Sequence, residues 1–146
     1  MTSAIERSLE HAIRLARRLP HGDYSTVILL VLYELGISPK NDGFVCLKKA
    51  VAMFFENPTC NLKDDIYAKI SVELDGVEDS RRVEQSIRRS IKEAWCDHDE
   101  EAWNIVFFGT KAGTKEKPSN GEFIAGVAWF VELWQGCCKE VAYARK

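Results

Sequence analysis

Between residues 79 and 95 the chain reads DSRRVEQSIRRSIKEAW, and this stretch limits the fold more than any other. Val83, Ile87, Ile91 and Ala94 recur every three or four positions and make an apolar stripe. Arg81, Gln85, Arg88 and Lys92 make a second stripe, flanked by Arg82 and Arg89. A helix turns once in about 3.6 residues, so the two stripes point in opposite directions. One side is suited to a core. The stretch carries five cations against three acids (Asp79, Glu84 and Glu93), together with Gln85, whose amide can hydrogen-bond a base edge.

The rest of the chain is also helical in pattern. Ile5, Leu9, Ala12, Ile13 and Ala16 form a stripe over 4–19, started by Thr2 or Ser3 and stopped by Pro20 and Gly22, with Arg7, Arg14, Arg17 and Arg18 on its other sides. A second helix opens at Asp23 or Ser25 and stops at Gly36; its run 27–33 is apolar nearly all round, which predicts the central core helix. Residues 37–43 carry loop chemistry, and a third helix follows over 44–56 with Leu47, Ala50, Val51 and Phe54 inward. Asn61 caps a fourth helix, with Leu62, Ile66, Ile70 and Leu74 in register. After 79–95, a short apolar helix is expected near 103–108, and Asn120 is expected to cap a last helix from about 122 to 144. No strand pairing, internal repeat, low-complexity tract or long linker is evident. The expectation is an all-α single domain of six to seven helices, with an N-terminal amphipathic helix in 1–22 and a second part over 23–146.

Composition excludes several classes. The 46% hydrophobic and 29% charged content is that of a water-soluble protein, and the longest apolar run falls far short of the ~20 residues that span a bilayer. The first residues contain no apolar signal core, so no membrane partner and a cytoplasmic location are expected. The five cysteines include no Cys-x-x-Cys pair, which predicts reduced thiols and no metal; His11, His21 and His98 are scattered and expected at the surface. No phosphate-binding Gly-rich loop, nucleophile elbow, His-Glu-x-x-His or Cys–His pairing is present, so neither an enzyme nor a cofactor is expected. The net charge of −2 sits against the usual basic balance of nucleic-acid binders, although a local patch is what matters.

Residues 61–74 and 79–95 together have the pattern of a helix-turn-helix. Small Ser71 sits where the helices approach, Gly76 permits the turn, and Val77, Val83 and Ile87 are expected to pack the second helix on the first. The second helix would then be a recognition helix in the DNA major groove. Lysines in 111–117 are candidates for phosphate contacts beside it, and the acidic run of Asp97, Asp99, Glu100 and Glu101 for a protein-contact surface or a solvated helix start.

At this point the chain resembles the C-terminal effector domain of stage zero sporulation protein A, the sporulation-initiation response regulator. The likeness runs from about residue 24 to 133. It rests on Glu34, Leu35, Gly36 and Ile37; on Gly43 and Phe44 with Leu47, Ala50, Val51 and Met53; on Arg82, Val83 and Glu84 with Ile87, Arg88, Ile91, Ala94 and Trp95; and on Lys117, Pro118, Ser119 and Asn120 with Glu122, Phe123, Ile124 and Ala125. The resemblance implies an all-α domain around a helix-turn-helix, with Arg82, Glu84 and Arg88 facing DNA. The segment after the recognition helix would contact RNA polymerase sigma subunits. Four departures stand out: no phosphoacceptor receiver domain; Gln85 where the family reader has Arg, and Arg89 where it has His; a turn about two residues longer, over 76–80; and a strongly acidic sigma-contact segment bearing Trp103.

Together these features point to a sequence-specific DNA-binding transcriptional regulator. Arg82, Glu84, Gln85 and Arg88 are the base readers, and Arg81, Arg89, Lys92 and Lys115 the phosphate contacts. Double-stranded DNA is the principal partner; a sigma subunit and a second copy of the chain are further candidates. The alternative is a protein-interaction module of the same fold that has lost DNA binding and modulates a full-length regulator or a sigma subunit.

Overall fold

The computed structural model describes residues 3–19, 22–107 and 116–144. Helix α1 (Ala4–Arg18) starts at Ser3, whose hydroxyl accepts from the Glu6 N–H. Helix α2 (Tyr24–Glu34) starts at Asp23 and ends before Gly36, whose φ of +87° suits a residue without a Cβ. Helix α3 (Asp42–Glu56) begins two residues earlier than its pattern suggests, so Gly43 is helical and not in the loop. Asn61 caps the next element as expected, accepting from the Asp64 N–H. That element is not one continuous α-helix: Leu62–Tyr67 forms a π-helical turn, which runs into α4 (Ala68–Asp75). Gly76, at φ +76°, closes α4. Then follow α5 (Ser80–Cys96), capped by Asp79; α6 (Glu100–Val106), capped by Asp99; and α7 (Asn120–Ala144). The described residues contain helices and no strand, so the fold is all-α. None of these helices is long and apolar enough to cross a membrane.

One cap and the identity of the central helix differ from expectation. Ser119, not Asn120, caps α7: its hydroxyl accepts from the Glu122 N–H, and Glu122 returns a bond to the Ser119 N–H, both at 3.1 Å. This is a capping box, which leaves Asn120 free to bond elsewhere. The central helix is α7 and not α2: α1, α2, α3, α5 and α6 all pack against it. Phe123, Ile124, Val127, Phe130, Val131 and Trp134 are buried along it. In α2 only Val27, Ile28, Val31 and Leu32 are buried, while Tyr33 is 66% exposed. An apolar helix can thus leave part of its surface in water, because composition alone does not say which faces meet a neighbour.

Helix α1 lies against α7 and α6. Ala12, Leu15 and Ala16 are buried, Arg7 pairs with Glu101 at 3.2 Å, and the buried Ser8 hydroxyl donates to the Ile105 carbonyl. Ile5 and Leu9, from the same predicted stripe, stay exposed. Trp103 is wholly buried, its indole N–H donating to the Leu35 carbonyl at 3.1 Å, and its ring packs beside Phe107 and Phe123. Gly126 makes room for Phe107; any Cβ there would strike that ring. The two described histidines are half-buried and not simply solvated: His11 meets Glu34 at 3.0 Å, and His98 stacks on Trp95 with ring centres 3.9 Å apart. His21 lies outside the described residues.

Candidate nucleic-acid interface

The geometry of α5 starts at the turn before it. Ser71 in α4 is buried; its hydroxyl donates to the Ala68 carbonyl at 2.7 Å and accepts from the Asp79 N–H at 2.9 Å. A residue chosen for small size therefore also fixes the end of the turn. Asp79 then accepts from the Arg82 N–H and starts α5. Val77 does not pack between the helices as its sequence position suggests. It is 64% exposed, because the turn carries it outward, and Leu74 is also partly in water.

The inward face of α5 is Val83, Ile87, Ser90, Ile91 and Ala94. Trp95 is only half-buried, short of the full burial its position suggests, because it lies at the end of the stripe beside His98. Besides α4 and the π-helical turn, α5 packs against α3. That contact is close at one point: a Cβ on Gly43 would collide with the Ser90 side chain and the Ser86 carbonyl. A third anchor comes from α7. The Asn120 amide donates to the Tyr67 hydroxyl at 3.1 Å and to the Glu84 carbonyl at 3.0 Å. One side chain thus joins the start of α7, the π-helical turn and the recognition-type helix.

With its inner face fixed this way, α5 presents Arg81, Arg82, Gln85, Arg88, Arg89 and Lys92 to solvent. The three acids of the stretch are all engaged: Asp79 caps the helix, Glu84 holds Arg88 at 2.6 Å, and Glu93 accepts from the Asn41 amide at 2.8 Å. Arg82 is ion-paired with Asp75, with Asp42 further off at 3.8 Å. The hydrogen bond to Asp75 leads the causes that push the Arg82 pKa up, so this side chain stays charged. Among the described residues no carboxylate lies within ion-pair distance of Arg81, Arg89 or Lys92. Lys115 and the lysine at 111 lie outside the described residues.

Two further cations join the same side. A crevice of about 390 Å³ is lined by Arg88, Lys63 and Lys117 among others. Lys63 escapes a reading centred on the second helix. Its signal is positional: it follows the Asn61 cap, where the first helix of such a hairpin crosses the phosphate backbone. Among the described residues no cluster of His, Cys, Asp or Glu is placed to hold a metal ion.

A hairpin of helices whose second member turns a cationic face outward has the arrangement of the helix-turn-helix class. Residues 28–130 match the family model described as sporulation initiation factor Spo0A, C-terminal, and the chain belongs to that family. It is a family of DNA-binding effector domains. The matched span falls inside the stretch of likeness read from the sequence. Helix α1 and the last turns of α7 lie outside it.

Proposed function

We propose that this chain is a sequence-specific DNA-binding transcriptional regulator that inserts α5 into the major groove. One observation carries the reading: the outward face of α5 carries five exposed cations, Asp79 is taken up by the cap and Glu93 by Asn41, Glu84 alone stays on that face holding Arg88, and Gln85 is exposed among the cations. In this reading Arg82, Glu84, Gln85 and Arg88 meet base edges. Arg81, Arg89 and Lys92 hold phosphates, joined by Lys63, Lys117 and Lys115. Phosphate contacts set the register and base contacts the sequence. Gln85 favours adenine N6/N7, whereas an arginine there would favour guanine O6/N7. The regulator would act in the cytoplasm. Exposed Ile5 and Leu9 support pairing of two copies, and the exposed acids Asp97 and Glu100 support contact with a sigma subunit.

A second reading has its own observation. Two of the four base readers, Arg82 and Arg88, are already paired with carboxylates of the same chain. A protein-interaction module of this fold would keep those pairs closed. Selection of bound duplexes from a random pool at two salt concentrations separates the two readings. A regulator yields one enriched motif, and its affinity falls with salt at a log–log slope of about −0.9 per phosphate contacted. Weak binding with no enriched motif at either salt would leave the interaction module.

A further inference from the structure

Helix α1, which lies outside the family match, carries its outward charges in two blocks. Glu6 and Glu10 lie in its first half, Arg14 and Arg17 in its second, and all four are exposed. At about 100° per residue they share an arc of about 80°, so they form one stripe with an acidic end and a basic end. Among the described residues none of the four has an opposite charge within ion-pair distance. The helix dipole favours an acid in the first turn and a cation in the last, which accounts for Glu6 and Arg17. It fades beyond those turns and does not account for Glu10 and Arg14. Within one helix the blocks are unfavourable, since they set like charges three or four residues apart.

A groove of about 440 Å³ is lined by Leu9 of α1 and by Trp129, Leu133 and Gly136 of α7. Trp129 is 51% exposed and Leu9 43%. Apolar surface gathered in one open groove marks a contact site, and tryptophan is the commonest kind of anchor there. Gly136 points the same way. A glycine inside a helix is destabilising relative to alanine. Gly126, on the same helix, has its reason within the fold, because a Cβ would strike Phe107. A Cβ on Gly136 would meet nothing within 4 Å, so no contact inside the chain requires the glycine. What it does is keep the groove floor low for something outside. Exposed Glu132 and Glu140 also line the groove, which suits an occupant that brings arginines.

We propose that two copies of this chain pair through this surface, each α1 running antiparallel to the partner's, with Leu9 and Trp129 closed in the contact and the acidic end of each stripe on the basic end of the other. A two-fold interface sets a patch against itself, so the patch has to be self-complementary. An axis through the middle of α1 brings Glu10 to the partner's Arg14 and Glu6 to the partner's Arg17, whereas a parallel pair would oppose like charges. Such a pair supplies the surface for the two-copy assembly put forward above, and it does not rest on DNA binding.

The test is the mass per particle of the full chain, by light scattering across a concentration series and without DNA. A dimer is expected. Trp129→Ala, at an exposed position, should weaken pairing about thirtyfold. Gly136→Leu should abolish it while the circular dichroism stays helical, because the new side chain rises into open space and fills the groove. Arg14→Glu with Arg17→Glu should leave a monomer, since both ends of the stripe are then acidic. Mixing that chain with one carrying Glu6→Arg and Glu10→Arg should restore a dimer with one copy of each. A chain that stays monomeric up to about 1 mM overturns the proposal. So does a dimer that survives Trp129→Ala and Gly136→Leu unchanged, which would place the contact elsewhere, or a mixture of the two charge variants that does not pair.

Discussion

Arg82 and Asp75 face each other across the turn of the hairpin, so a cation in the first turn of α5 is held by the last residue of α4. The pair is half-exposed, and exposed pairs of this kind add only ~0–1 kcal/mol to stability. Its larger effect is on direction: it fixes where the guanidinium points before any ligand arrives.

Asp75→Asn should therefore barely change the unfolding midpoint. It should raise affinity for arbitrary duplexes, because a charge is released, and reduce discrimination between sequences, because Arg82 loses its fixed orientation. Fluorescence anisotropy with matched and scrambled duplexes checks both. Unchanged discrimination would remove Arg82 from the base readers.

Gln85→Arg should shift preference towards guanine at one position by ~1–3 kcal/mol and leave the rest of the site alone. Selection from a randomised pool reads this directly. A mutant that binds every sequence more tightly would place residue 85 on the phosphate backbone instead.

Gly43→Ala should destabilise the fold by ~1–3 kcal/mol, since the added methyl meets the Ser90 side chain and the Ser86 carbonyl of α5. Urea denaturation measures the loss. Ser90→Gly in the same chain should return part of it, because the serine side chain is one of the two obstacles.

The spacing of Val83, Ile87 and Ile91 made the inner face of α5 legible, because a helix repeats regularly and those residues have no other use. Asn61 was legible as a cap for a similarly local reason, whereas the capping role of Asp79 was not read. What was not legible depends on distant partners. Nothing in the apolar run of α2 says that α7 takes the centre, and nothing near 62–67 marks a π-helical turn. The outward swing of Val77 follows from the turn geometry that Ser71 and Gly76 impose. The candidate site was half legible. The cationic stripe of α5 can be read from residue types, but the engagement of Arg82 by Asp75, and the placing of Lys63 and Lys117 beside Arg88, exist only once the helices pack.

Tyr24 donates to the Glu56 carboxylate, and this bond leads the causes that push its pKa from 10.0 up to about 12. The raised value means that the folded chain disfavours the phenolate. The stabilising effect is complete below the ordinary tyrosine value and is lost as pH rises through about 12. Stability measured by urea should fall across that window. Tyr24→Phe should flatten part of the fall; Tyr67 and the thiols of Cys46, Cys60, Cys137 and Cys138, whose pKa values burial also raises, carry the rest.

Removal of residues 1–20 should lower thermal stability, since Ala12, Leu15 and Ala16 are buried where α1 lies on α7 and α6. Leu15→Ala alone should cost ~2–5 kcal/mol. Light scattering on the truncated chain reports the second role of this helix. A drop from dimer to monomer, with a loss of DNA affinity, would assign exposed Ile5 and Leu9 to pairing.

Helix α7 runs 25 residues without a break, which makes it a rod of about 37 Å. Its first residue, Asn120, grips the backbone of α5 at Glu84, and its last turns run beyond the family match. A rod pivoting near its middle moves its two ends in opposite senses, and a tilt of ~3° displaces each end by about 1 Å at this length. A shift at the far end would thus reach α5 through Asn120 by leverage, and not by diffusion of strain through a soft interior.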